Sequence, residues 1–309
     1  GYTVDLFEKM PTPARKFLMA GKSGLNITHD ENLNVFLTRY FEYGKYFKGP
    51  IEAFSPTHIQ EWMRSLDCEP FTGSSGRIFP KTMKASPLLR AWIRRLESYG
   101  VRLFTRHKWC GWGPSGELVF DTPDNTKMLS YKVVILALGG ASWPKLGSDG
   151  AWVHTLSQEG IKSINLKPAN CGFNVDWSDH LKQNFAGSPV KNIHMSITDQ
   201  QGNIQQTYGD LMISKNGIEG GPVYSLSRHA RISLDQTGTV SFMLDLTPDR
   251  SLQDLRQALS KPRGKKSLST YLKRTIGLNG VKLALLYECC PKETIKSGDM
   301  NALAVAIKS

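Results

Sequence analysis

Residues 131–138 read Tyr-Lys-Val-Val-Ile-Leu-Ala-Leu and run without a break into Gly139-Gly140. No helical or alternating period runs through the stretch, and it is far shorter than the ~20 apolar residues that span a bilayer. A short, continuous, β-branched run of this kind predicts a central strand covered on both faces, as in sheets flanked by helices. The two glycines would then leave bare backbone at the carboxyl edge of the sheet, where open α/β folds bind their ligands.

The neighbouring sequence extends this pattern. Gly1 to Glu8 alternates like a strand, with Tyr2, Val4 and Leu6 on one side. Ser55-Pro56 predicts a helix start, with Ile59, Trp62, Met63 and Leu66 on one face. Ser86-Pro87 repeats the device ahead of Leu88, Leu89, Trp92, Ile93 and Leu96, and Gly100 ends that helix. Strands are expected over Val101–Phe104, Trp109–Trp112 and Glu117–Asp121, and a helix over Ala151–Gln158. From Lys167 to Leu246 short β-like pieces alternate with turns, and a helical, basic segment follows Thr247-Pro248. The expected organisation is therefore an α/β domain over 1–166, an inserted antiparallel β-domain over 167–246 and a basic helical domain over 247–309.

Composition narrows the functional class. The chain has 309 residues, 40% of them hydrophobic and 21% charged, which excludes wholesale disorder. No basic-then-apolar leader opens it, so no signal peptide is expected and a cytoplasmic location is. The five cysteines include no C-x-x-C pair, which argues against a disulfide framework or a zinc site, and no metal is expected. The net charge is +12, and between Lys261 and Arg274 six basic residues occur with no acidic one. Such a block is either a solvated face or a contact for a phosphate backbone.

Four local patterns carry chemistry. Glu8 ends the opening strand, where an acid would accept hydrogen bonds from a ribose, some 20 residues after a G-x-G-x-x-G turn that occurs nowhere in the chain. The run Gly21-Lys22-Ser23-Gly24-Leu25-Asn26-Ile27-Thr28-His29 combines glycines three apart with polar donors, without P-loop spacing. Gly73-Ser74-Ser75-Gly76-Arg77-Ile78-Phe79-Pro80 leads from small residues to one cation and an apolar wall. Ala137-Leu138-Gly139-Gly140-Ala141-Ser142-Trp143-Pro144 precedes Gly147-Ser148-Asp149-Gly150. A surface turn or loop is the plain alternative for each.

Taken in order, these runs resemble the HI0933-like, or YhiN-like, family of bacterial FAD-dependent oxidoreductases. Glu8-Lys9-Met10-Pro11, Arg15-Lys16-Phe17-Leu18-Met19-Ala20 and Gly217-Ile218-Glu219-Gly220-Gly221-Pro222 add to the likeness. The resemblance implies a Rossmann-like flavoprotein fold with an inserted β-domain and a small helical domain. It implies FAD as cofactor, with Glu8 on the adenosine ribose and Arg15 and Lys16 along the diphosphate. Gly21, Lys22, Ser23, Gly24, Asn26 and Thr28 would line FAD, and Arg77, Phe79 and Pro80 would stand beside the isoalloxazine. Ala137, Gly139, Gly140, Ser142, Asp149 and Gly150 would pass close to FAD, and Trp109 would offer backbone to adenine. Family members open with the G-x-G-x-x-G turn and close with a Gly-rich return to the flavin, so this chain reads as a central piece of such a protein.

The expected activity is hydride transfer between flavin N5 and a small-molecule substrate held between the FAD domain and the β-domain. The family acts on small amines, bile-acid steroids and a uridine of ribosomal RNA, so the resemblance fixes no substrate. No catalytic acid or base stands out; His29, His58, His154 and His194 are candidates by residue type alone. The alternative is a truncated non-catalytic remnant or an RNA-binding protein that uses Lys261–Arg274. The two readings meet in a flavin-dependent reductase of a uridine in RNA.

Overall fold

The computed structural model describes residues 2–21 and 24–309. Contacts divide the chain into two compact units, Gly1–Leu166 and Lys167–Ser309, and both helices and sheets build each of them.

In chain order the first unit holds β1 (Asp5–Glu8), α1 (Arg15–Ala20), β2 (Thr28–His29), α2 (Leu33–Thr38), α3 (Gly44–Ala53), α4 (Pro56–Ser65), β3 (Pro70–Thr72), β4 (Arg77–Pro80) and α5 (Ala85–Ser98). It continues with β5 (Arg102–Thr105), β6 (Lys108–Trp112), β7 (Leu118–Asp121), β8 (Thr126–Leu129) and α6 (Trp152–Gln158). β1 and β5 form a parallel pair from Asp5↔Arg102 to Glu8↔Thr105. Phe7 stacks on its cross-strand partner Phe104 and on Phe120, with ring centroids 5.2 and 4.3 Å away. At the start of the pair, Arg102 donates to both Asp5 oxygens at 2.6 and 2.8 Å, and Tyr131 donates to Asp5 Oδ2 at 2.6 Å. The strands β2, β4 and β3 make one antiparallel sheet and β6, β7 and β8 another.

The Ser55 start of α4 forms as its residues dictate. Ser55 Oγ accepts from the His58 N–H at 3.4 Å, and the His58 ring nitrogen accepts from the Ser55 N–H at 3.1 Å, a reciprocal cap. The Ser86 device differs. Helix α5 begins at Ala85, so Ser86 and Pro87 lie inside its first turn and Lys84 takes the cap position. Proline is tolerated there because the first N–H groups of a helix have no intrahelical partner.

The apolar run at 131–138 is the main departure from the sequence expectation. It is neither a ladder strand nor buried: Val133 is 77% and Ile135 86% exposed. Hydrophobicity alone does not make a strand, because the backbone needs a neighbouring edge to pair with. Among the described residues β1 pairs with β5, and no strand forms a ladder with this segment.

The second unit holds β9 (Phe173–Asn174), α7 (Asp179–Phe185), β10 (Pro189–Thr198), β11 (Ile204–Ser214), β12 (Gly217–Gly220), α8 (Gly221–Thr237) and β13 (Met243–Asp245). Helices α9 (Leu252–Leu259), α10 (Leu268–Ile276), α11 (Gly280–Cys289), α12 (Lys292–Ser297) and α13 (Met300–Lys308) complete it. Its sheet runs β13-β10-β11-β12-β9, antiparallel throughout. Alternation along β10 and β11 sends Ile193, Met195, Ile197, Leu211 and Ile213 inward. Helix α8, the long element that the β-like texture of this region hides, adds Val223, Leu226 and Ala230 to the same core. Leu255, Leu272, Leu286 and Ile307 of the later helices belong to that core too, so a single apolar interior runs from Trp177 to Ile307. Its last turn is pinned by Lys308, which donates to Asp245 and to the Arg250 carbonyl.

Candidate functional site

The end of β1 is a chemical junction. Glu8 is half-buried, and its Oε1 accepts from the Met10 N–H at 2.8 Å, which orients the carboxylate at the carboxyl edge of the parallel pair. The His107 N–H donates to the Glu8 carbonyl at 3.0 Å and the Arg106 N–H to the Met10 carbonyl at 3.2 Å, so the turn after β5 supports the turn after β1.

A second loop, 139–150, comes to the same place. Lys9 Nζ lies 2.6 Å from Asp149 Oδ2, and Lys16 Nζ donates to Ser142 Oγ at 2.6 Å. The lysine beside Asp149 holds its carboxyl below the usual range, and the Ala151 N–H adds to that effect. Gly147 has φ +96° and sits so close to Met10 that a Cβ would meet its Cγ at 2.8 Å. Gly139, at φ +72°, gives its carbonyl to the Trp152 indole N–H at 3.0 Å. Inside the loop Trp143 and Ser148 pair, exchanging N–H···O bonds of 3.0 and 3.1 Å. Ser148 is 7% exposed, and its Oγ has no hydrogen-bond partner.

The second and third sequence patterns meet in the small sheet of the same unit. Thr28 pairs with Ile78 and His29 with Arg77. The Ile27 N–H donates to the Ile78 carbonyl at 2.9 Å, and the Leu25 N–H to the Met83 carbonyl at 3.1 Å. Gly24, at φ +131°, lies against the Phe79 ring, 3.6 Å from where its Cβ would stand. Thr28 and Pro80 are buried, whereas Asn26 and Arg77 are exposed. Helix α1 links the two assemblies: Lys16 reaches Ser142 from its first turn, and Gly21 ends it against Ala85, whose Cβ a side chain at Gly21 would meet at 2.5 Å. Gly21 thus has a packing reason to be glycine, whatever it does for a ligand.

The remaining sequence candidates are more scattered. Lys22 and Ser23 lie outside the described residues. Trp109 stands in β6, two residues past His107, edge-on to Trp112 at 4.9 Å, and its indole N–H is buried and unpartnered. Ala137 and Gly140 lie on either side of Leu138-Gly139, outside any ladder. Arg15 opens α1 and Gly150 follows Asp149, with its α-carbon turned towards Ala141. The histidines do not converge: His29 bonds the Ser75 carbonyl at 3.0 Å, His58 caps α4, His154 is on α6, and His194 stands edge-on to Tyr208 at 5.2 Å on the β10–β11 face. Lys9 and Ser148 are members of the assembly that residue-type reasoning passed over, although each adjoins a residue it chose.

The geometry suits a dinucleotide. Two lysines flank the loop beside a carboxylate at a strand end, glycines occupy positions where a Cβ would clash, and a buried hydroxyl waits without a partner. Glu8, Lys9, Lys16, Gly139 and Ser142 could hold a phosphate and ribose portion, and Gly24, Thr28, Phe79 and Pro80 offer an apolar and small-residue surface. Among the described residues no group of side chains is arranged to hold a metal ion, and no helix is long and apolar enough to cross a membrane.

The fold is mixed α/β, with the parallel β1–β5 pair of a Rossmann-like domain. A family model described as the HI0933-like protein Rossmann domain matches residues 1–290, and the chain belongs to that family. It is similar to the 3-dehydro-bile acid delta(4,6)-reductase of Clostridium scindens, at 23% identity over 259 residues, 83% of this chain and 61% of the relative. The chain therefore spans about three fifths of that relative's length.

Proposed function

We propose that the protein is an FAD-dependent oxidoreductase that exchanges hydride with a small-molecule substrate. The observation that supports it best is the meeting of the β1 end with the 139–150 loop through the Lys9–Asp149 and Lys16–Ser142 contacts. FAD, when bound, supplies the hydride chemistry at its flavin ring. The chain's own residues bind and orient. Glu8, already turned by the Met10 N–H, accepts from ribose hydroxyls. Lys9 and Lys16 neutralise the diphosphate. Gly139 and Gly140 permit close backbone approach, and Phe79 and Pro80 exclude water from one side of the ring system.

The relative's name makes a 3-oxo steroid with conjugated double bonds the first substrate to try. The test is anaerobic. Protein loaded with FAD is reduced, mixed with such a steroid or with buffer, and followed by the flavin absorbance. Reoxidation by the steroid supports the reading. A reduced flavin that no enone, imine or pyrimidine reoxidises removes the reductase reading.

A second reading rests on the basic block. Lys261, Arg263, Lys265, Lys266, Lys273 and Arg274 are all exposed, and Tyr271 fastens the loop that carries most of them by donating to the Leu259 and Lys261 carbonyls at 2.9 and 2.7 Å. An exposed group of cations on an anchored loop and the helix after it fits an RNA backbone.

A further inference from the structure

Ser148 combines three features that its neighbours do not share. Its side chain is almost wholly buried, its Oγ has no partner, and its backbone is fully engaged with Trp143. Burying a hydroxyl without a partner is unfavourable, so such a group is expected to have one in the working state. The Oγ faces Gly139, where an added Cβ would find this oxygen at 3.8 Å and no other heavy atom within 4 Å. Residue 149, the next along, is the carboxylate held by Lys9 at 2.6 Å, and Lys16 reaches the same loop at Ser142. The hydroxyl therefore belongs to a loop that two ammonium groups reach, and one of these is occupied by the neighbouring carboxylate, which an incoming anion can replace.

We propose that Ser148 is a diphosphate ligand. Its Oγ–H donates to a phosphate oxygen of the bound dinucleotide, which takes the place of the Asp149 carboxylate on Lys9. This rests on the dinucleotide reading above and adds to it a residue and an exchange of partners. A hydroxyl contributes through one hydrogen bond to a charged acceptor, so its removal weakens binding without disturbing the resting fold.

The probes are FAD and ADP, titrated into the full chain and its Ser148→Ala and Ser148→Thr variants, with dissociation constants read by calorimetry. Ser148→Ala should weaken both ligands by at least ~10-fold, since a charged hydrogen bond is at stake. Ser148→Thr, which keeps the hydroxyl, should recover most of that loss. The ligand-free Ser148→Ala protein should melt no lower than the wild type, because the substitution deletes an unpartnered polar atom. Wild-type binding of both ligands with unchanged affinities in Ser148→Ala overturns this inference and leaves the cofactor reading standing. Weaker FAD binding with unaltered ADP binding overturns the diphosphate assignment. A wild-type chain that binds neither ligand overturns the cofactor reading and this inference with it.

Discussion

Lys9 and Asp149 stand 140 positions apart in the chain, yet their charged groups are 2.6 Å apart. The pair closes the 139–150 loop over the end of β1, and both side chains keep some contact with water, at 27% and 39% exposure. Its worth is therefore modest, below about 1 kcal/mol. Because Asp149 is held below its ordinary carboxylate range, its contribution is present above that range and is lost as the pH falls through the lowered value. Asp149→Asn should cost a small amount of stability at neutral pH and nothing once the wild-type carboxylate is protonated. Urea unfolding of both proteins at pH 7 and in acid checks this, and a gap that widens in acid would contradict it.

Tyr131 gives a prediction at the opposite end of the scale. Partial withdrawal of its hydroxyl from water, and then its hydrogen bond to Asp5, push the phenol up to about 12. A raised tyrosine contributes stability that is complete below its ordinary value near 10 and is lost as pH rises through the folded value. An ultraviolet titration of tyrosinate should show one phenol ionising well after the others, and Asp5→Asn should return it towards the rest. A titration with no late component in the wild type would mean that the Asp5–Tyr131 contact does not form.

Gly217 is the tightest backbone position in the second unit. It has φ +157°, and a Cβ there would stand 1.9 Å from the Phe173 carbonyl oxygen. Its own carbonyl accepts from the buried Trp177 indole at 3.1 Å. Gly217→Ala should cost at least ~3 kcal/mol by forcing β9 from β12. Circular dichroism with chemical denaturation measures it, and a cost within ~0.5 kcal/mol would contradict the register of this pair.

The basic block yields a salt experiment. Reversing two charges with Lys265→Glu and Lys266→Glu should weaken binding of a single-stranded RNA and flatten the dependence of affinity on salt by roughly one to two counterions. Filter binding across a salt series reads both. Equal slopes for the two proteins would remove RNA contact from this loop.

How much of this was legible in the residues follows from where the determinants are local. The Ser55-Pro56 cap and the β6–β7 hairpin over Gly113–Gly116 need only short-range information, and both formed where the sequence placed them. Lys16 and Ser142 each stood in a run that the sequence singled out. Their contact was not legible, because the two residues stand 126 positions apart in the chain. The run at 131–138 failed for a complementary reason: apolar composition specifies burial, whereas a ladder requires an edge that this segment does not find. Helix α8 was hidden because its apolar stripe of Val223, Leu226 and Ala230 is diluted by polar residues on a face that only the sheet identifies as outer. Lys9 was overlooked since a lysine beside a strand-end acid carries no signal until its partner is known.

The central claim is that the turn after β1 and the 139–150 loop together hold FAD, and the most direct measurement is flavin binding itself. The full chain is mixed with FAD, and the flavin fluorescence and visible spectrum are recorded for the wild type beside Glu8→Ala and Lys16→Ala. The account predicts a saturable change in the wild type and an affinity lower by at least ~10-fold in each variant, as removal of a charged hydrogen-bond partner requires. Saturable binding that both substitutions leave unchanged would put the cofactor elsewhere, and the absence of any binding by the wild type would contradict the account outright.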